Sequence, residues 1–443
     1  MPSAHIVTVS DRLSRMRHLL CGVIAILLVS CAGRTPAVPS YLFVWAGDAD
    51  RKSSDFLGVL DATPGSPQYG AIVASIPISE IGTYPHHTEQ EMPASGHLLA
   101  NGFGAGRTWL FDLKDPRKPT ILTSFGAKAG FSHPHSFERL PNGEVLATFQ
   151  YREGEPSAPH DHGAMDAGAP APGAQATTPP AIGPRSIGGL VHMNERGEVI
   201  RSASAGDSAI TYSHLYPYHA LPLPGIDRAV SSTTDMDDKN KPATSEWVQI
   251  WRLSDLTLLK SFALAPGPRG DEHQYTGELR LLPDGKSVYL HTFNCGLYLL
   301  RDLDQPQPRA TFVKSFEGGN CGVPVISGRY WLQTVPEAHA LVALDISDPE
   351  HPREVSRVSF GDDEGPHWAA IDRTGRRVVV NSAGSTPNRL YIVDVDASTG
   401  ALSLDQRFRD AGSSSPGVTM TGKRWPHGFS GRAQPHGTVF SRQ

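Results

Sequence analysis

The feature that most limits what this 443-residue chain can fold into is a repeated unit of short alternating strands. Compare PHSFERLPNGEVLATF (134–149), TGELRLLPDGKSVYLHTF (276–293) and GPHWAAIDRTGRRVVVNS (365–382). Each run alternates apolar and polar residues with period two and is cut by an Asn-Gly, Asp-Gly or Thr-Gly turn, the pattern of a β-hairpin. Counting back eight residues from Gly143, Gly285 and Gly375 lands on His135, Gly277 and His367. Third strands follow the hairpins, as at 108–113, 247–253, 296–303, 340–346 and 389–395. A unit of about 45 residues and four strands is a propeller blade. Six internal units open near His86, His133, His214, His273, Cys321 and His367. A seventh is built from 41–78 together with the last strand, near 433–441. The expected fold is therefore all-β: a seven-bladed β-propeller over residues 41–443, its ring closed by the N- and C-terminal strands. Six or eight blades are the neighbouring solutions. The 44 glycines and 37 prolines agree with a turn-rich chain and oppose a helical bundle.

Two segments stand outside the repeat. Residues 16–31, MRHLLCGVIAILLVSC, have a basic start, an apolar run from Leu19 to Val29 and small residues ahead of Cys31. That is a secretory signal over 1–31, with Met16 as an alternative start, and its apolar run is short of the ~20 residues that span a bilayer. Leu28-Val29-Ser30-Cys31 is similar to a bacterial lipobox, which makes Cys31 the lipidated residue and 32–40 a linker; an ordinary signal cleaved near Ala32 is the plainer alternative. Ala32 after the cysteine then implies a periplasm-facing outer-membrane lipoprotein, anchored by lipid with nothing spanning. Residues 153–186 are rich in Pro, Ala and Gly with almost no large apolar side chain, so they read as a disordered insertion in the second internal blade. Its His160-Asp161-His162 tract lacks a fixed third ligand. With 40 Lys+Arg against 45 Asp+Glu and no basic run, nucleic acid is not an expected partner.

The 19 histidines are about twice the usual share, and their placement carries the chemistry. The innermost strand of every blade lines the central channel, so equivalent early positions converge on one rim. Those positions hold His86 and His87, His133 and His135, His214 and His219, His273, His367, and His427 or His436. Three or four imidazoles there suit copper or zinc. Taken singly, each imidazole could simply bond a loop carbonyl. Cys295 and Cys321 fall near the same rim, as a bridge between neighbouring blades or as thiolate ligands.

The stretch YLFVWAGDADRKSSDFLGVLDATPGSPQYGAIVASIPI followed by PHHT resembles the opening of the selenium-binding protein family, whose bacterial members include methanethiol oxidase. SPQYG, the His86-His87 pair and the GEV strand after His135 carry the resemblance, which weakens between 150 and 330. It implies a seven-bladed propeller and a copper ion held by His86, His87, His135 and His436. Where animal members carry a selenium-linked cysteine after SPQY, this chain has Gly70, so selenium is not expected. Glu138 stands where the family often has a further His, TEQEM replaces a Trp-containing stretch, and a terminal Gly-Gly-Asp is missing. The chain is similar to the family as a divergent relative.

The resemblance implies a copper oxidase that takes a small thiol and O2 to an aldehyde, sulfide and peroxide, and the signal segment makes it an exported one. The alternative is a non-catalytic, lipid-anchored propeller that binds metal or serves as a scaffold for protein partners. A zinc hydrolase has no H-E-x-x-H or comparable motif to support it.

Overall fold

Each hairpin turn is closed by the backbone bond its sequence calls for: the N–H groups of Gly143, Gly285 and Gly375 donate to the carbonyls of Leu140, Leu282 and Asp372, each at 2.9 Å. These glycines have φ of 86°, 69° and 68°, the left-handed region where a side chain is strained. The hairpins belong to a computed structural model that describes Met1 and residues 38–154, 187–210, 215–236, 245–382 and 388–442. The signal segment with Cys31, most of the 153–186 insertion with His160 and His162, and His214 lie outside the described residues.

The described strands form seven antiparallel sheets of four or five strands. Their innermost strands are, in chain order, Pro85–Thr88, Phe131–Arg139, Pro217–Leu223, Thr276–Leu281, Val325–Ser327, Pro366–Ile371 and Ser430–Phe440. Six of the seven neighbouring pairs in that order touch directly, Ser430–Phe440 touching both Pro366–Ile371 and Pro85–Thr88; at the seventh, Arg280 Nε–H donates to the Pro324 carbonyl just ahead of Val325–Ser327 at 3.2 Å. The result is a seven-bladed β-propeller. The first blade joins the two ends: Tyr41–Asp48 pairs antiparallel with Ser430–Phe440, from Leu42 opposite Phe440 to Asp48 opposite Ala433. Thr421–Arg424 adds a further strand beside it.

Cohesion comes from apolar layers between sheets. Trp45 of the closing blade packs with Trp109 and Phe111 of the next, at ring-centroid distances of 5.7 Å each. Its indole N–H donates to the carbonyl of Asn101 at 2.7 Å. Burying such rings contributes about 2–3 kcal/mol each, and the shared hydrogen bond removes the cost of the buried N–H. Cys295 is bonded to Cys321, which joins the fifth blade, counting the closing blade as the first, to the lead-in of the sixth.

Candidate metal centre

The innermost strands share a local device. Register shifts, the mark of a β-bulge, fall between Pro85 and Thr88, Pro134 and Phe137, Pro217 and Ala220, Thr276 and Leu279, and Pro366 and Trp368. The closing strand is shifted at the matching place, around His436. In five of these six strands a proline stands just ahead of the shift: Pro85, Pro134, Pro217, Pro366 and Pro435. Proline cannot donate to the ladder and favours bulges, and a bulge re-aims the residue that follows. That residue is His86, His135, Tyr218, His367 and His436 in turn. In the remaining strand it is Gly277, where an added Cβ would stand 2.5 Å from the His291 ring, so His291 from the second strand occupies that space.

A side chain from the second strand staples five of the six bulges, His291 Nδ1 accepting the Glu278 N–H at 2.9 Å in one of them. Asn101 accepts the His87 N–H at 2.6 Å, Thr148 the Ser136 N–H at 3.0 Å, Ser232 the His219 N–H at 3.2 Å and Asn381 the Trp368 N–H at 3.0 Å. Some of these side chains also reach onward to the next blade. Asn101 donates to the Pro134 and His135 carbonyls at 2.8 and 3.2 Å, Thr148 to that of Tyr218 at 2.9 Å, and Asn381 to that of His436.

The imidazoles meet inside the channel, all buried. His86 stacks on His87 with ring centroids 4.3 Å apart, and His436 lies 4.2 Å from His86. Ligand nitrogens of His86, His87 and His436 fall within 4.8 Å of one another. His135 stands beside that trio, 4.4 Å from the His87 ring and 4.9 Å from the His86 ring, though outside the 4.8 Å group. Its Nδ1–H donates to the Tyr218 carbonyl at 2.8 Å. A carbonyl only accepts, so the proton is on Nδ1 and the Nε2 lone pair is the one left to bind a metal.

Several of these atoms fit a cation. Among the described residues, His86 Nδ1 and His135 Nε2 are buried without a hydrogen-bond partner. A buried polar atom left so costs about 1–3 kcal/mol, which metal coordination would offset. Burial holds His86 and His87 well below the ordinary imidazole range, and the neighbouring imidazoles push the same way. Burial lowers His135 to about 4. Neutral imidazole is the form that coordinates.

Across the channel, Glu278 Oε1 lies 3.9 Å from His87 Nδ1. Burial pushes the Glu278 carboxyl up, but His219 and Arg280 outweigh it and hold it at about 2. Arg280 donates to Glu278 Oε2 at 2.8 Å. A small cleft of about 20 Å³, room for a water-sized molecule, reaches His436 between Asp48, Tyr84 and Pro85.

The other rim histidines separate. His367 stays with the cluster, its ring 4.9 Å from His436. His219 is on the channel but bonded away from the trio: its Nε2–H donates to Glu138 at 2.9 Å and its Nδ1 accepts from Leu279 N–H at 3.1 Å. His133 is set apart by the Phe103 ring, 5.5 Å from it and 5.6 Å from His135. His273 lies in the turn ahead of Thr276–Leu281 and not on the innermost strand. His427 corrects the expectation most clearly. It sits in the turn before Ser430–Phe440, bonded to Ser75 Oγ at 2.7 Å and packed on Phe56 at 4.7 Å, away from the channel. Asn101, Asn381, Tyr218 and Glu278 escape a reading that follows imidazoles alone, yet the recurrent Pro-His and Pro-Tyr pairs mark the bulges that aim this layer.

Fold and site together define a β-propeller that gathers imidazoles from both ends of its chain into one buried cluster. This propeller has weak homology to selenium-binding proteins and to a methanethiol oxidase. It is 26% identical over 113 residues to selenium-binding protein 2 of Arabidopsis thaliana, covering 22% of this chain and 23% of the relative. It is 31% identical over 108 residues to methanethiol oxidase of Hyphomicrobium sp, covering 23% and 24%. The matches thus span about a quarter of those relatives' length. A hypothetical selenium-binding protein of Sulfolobus tokodaii shares the fold over 91% of this chain and 94% of its own, with a TM-score of 0.66 and 17% identity. The periplasmic gluconolactonase of Pseudomonas aeruginosa shares it over 91% and 99%, with a TM-score of 0.55 and 13% identity. No family model matches the chain.

Proposed function

We propose that this chain is an exported copper-dependent oxidase of a small thiol. The observation that carries the reading is the buried trio His86, His87 and His436, its ligand nitrogens within 4.8 Å, in a chain with weak similarity to a methanethiol oxidase. His135 is the fourth member by its free Nε2 lone pair. A neutral nitrogen donor set without thiolate suits copper or zinc. Bound copper would supply affinity for a thiolate sulfur and electron exchange with dioxygen, which no side chain provides.

For methanethiol the overall change balances as one thiol, one dioxygen and one water going to formaldehyde, hydrogen sulfide and hydrogen peroxide. The chain's own residues prepare the place. Burial keeps His86, His87 and His135 neutral, and the bulges fix the direction of the cluster. The Glu278 carboxylate puts a negative charge beside His87, which lowers the cost of holding a cation in a buried site. Export as a lipoprotein modified at Cys31 is part of the same proposal, and the Cys295–Cys321 bond accords with an oxidising compartment.

The test is metal analysis of the full chain purified from copper-replete cells, with an assay for methanethiol-dependent peroxide. We expect about one copper per chain and peroxide formation. Zinc or calcium alone would remove the oxidase reading. Copper without thiol turnover would favour a metal-binding propeller with no catalytic role.

A further inference from the structure

Tyr218 holds, on its strand, the bulge position that His86, His135, His367 and His436 hold on theirs, and it contacts two of the four candidate ligands through different groups. Its carbonyl accepts the His135 Nδ1–H at 2.8 Å. Its phenol oxygen lies 3.3 Å from His87 Nε2. The ring is buried, with its centroid 4.1 Å from that of His135 and a T-shaped contact to Phe293 at 5.3 Å.

The direction of the phenol bond follows from its surroundings. The Glu278 carboxylate faces His87 Nδ1 at 3.9 Å, and its charge favours a proton on that nitrogen. The Nε2 lone pair is then the acceptor and the Tyr218 hydroxyl the donor. A metal at Nε2 needs the same lone pair. The two cannot share it.

We propose that Tyr218 is a positioning residue of this centre with two opposed effects: its carbonyl prepares His135 for a metal, while its phenol occupies the His87 lone pair and must be displaced when the metal enters. The proposal rests on the cluster being a metal site. It assigns the hydroxyl a cost in metal affinity and a gain in the stability of the metal-free protein, opposite signs that a purely structural tyrosine would not produce.

The experiment compares full-length wild type, Y218F and Y218A, titrated metal-free with copper(II) against a competing chelator, with urea midpoints measured in parallel. Phenylalanine keeps the ring and the carbonyl and removes only the hydroxyl. Y218F is expected to bind copper about fivefold more tightly, the factor of one ordinary hydrogen bond, and to lower the metal-free urea midpoint. Y218A, which also loses the ring against His135, is expected to bind more weakly than Y218F. Unchanged or weaker binding by Y218F, with wild type binding normally, overturns the Tyr218 assignment and leaves the metal reading intact. Wild type that takes up neither copper nor zinc overturns both. Y218F folds as the smaller change, so the test stands if Y218A does not.

Discussion

The side-chain oxygen of Asn101 accepts the backbone N–H of His87 at 2.6 Å. The same carboxamide uses its nitrogen on the Pro134 and His135 carbonyls of the next blade. One short polar group thereby sets the orientation of candidate ligands on two separate strands, and only an amide has both the acceptor and the donors the arrangement needs.

Asn101→Asp retains shape and the acceptor but loses both donors and turns a carboxylate toward two carbonyls. In so buried a place this should cost about 2–4 kcal/mol. The urea midpoint should fall, and the surviving folded protein should bind less metal. Full stability and full metal content would mean the amide does not hold the bulges.

Replacement of His86, His87, His135 or His436 by Ala should remove most bound copper while the β-sheet circular dichroism spectrum persists. Each loss should weaken copper affinity by at least about tenfold. His97, hydrogen-bonded to Glu195 at 2.7 Å, and His427, on Ser75, are the controls and should keep full metal. A His427→Ala variant that loses its metal would contradict the site described above.

Acid should weaken the metal-free protein earlier than carboxylates alone predict. Burial holds His135 and His291 at about 4 in the folded chain, against an ordinary value near 6.5. For such depressed imidazoles the unfolded chain binds more protons between those values. Their stabilising contribution is complete above about pH 6.5 and is lost as pH falls toward 4, by on the order of 3 kcal/mol for each fully buried group. Glu278, held at about 2, loses its contribution only at lower pH. Urea midpoints of the metal-free protein at pH 7.5 and about 5 check this. Equal midpoints would show that the imidazoles are not held neutral.

Cys295 and Cys321 close a loop with a sequence separation of 26. In the chain-entropy account a loop of that size is worth about 3.5 kcal/mol. Cys321→Ser, or reduction of the wild type, should lower the melting temperature by several degrees, and reduction should add nothing in the Cys321→Ser variant.

If Cys31 carries lipid, Cys31→Ser should release the protein from the membrane fraction or leave its signal uncleaved. Detergent-dependent membrane association that survives the substitution would end the lipoprotein proposal.

The ring was legible because period-two alternation and turn glycines such as Gly143 and Gly285 are local signals, repeated until their spacing could only be blades. Ring closure was legible too, since Tyr41–Asp48 lacked an inner partner that the terminal strand could supply. The site was legible where a histidine fell early in a unit, as at His86 and His135. It was not legible at His427, which shares the Pro-His pair of His436 but sits in a turn ahead of the strand, and a dipeptide does not say whether it lies in a turn or a strand. Asn101 and Thr148 were hidden for another reason. Their role lies in a contact to the neighbouring blade, which has no counterpart in the order of residues along one strand.

Closure of the ring by Ser430–Phe440 has a consequence for when a metal can enter. His86 and His436 lie roughly 350 residues apart, and bringing ends that distant together costs about 5 kcal/mol of chain entropy beyond a constant. In a zinc finger the ion meets ligands that are neighbours in sequence and can direct folding. Here the ligands become neighbours only after seven sheets have docked and the two ends of the propeller have paired. A metal proposed for this cluster would therefore meet its ligands only on a finished ring, after the metal-free chain had folded unaided. A chain that fails to close its first blade would be left without a place to put the ion.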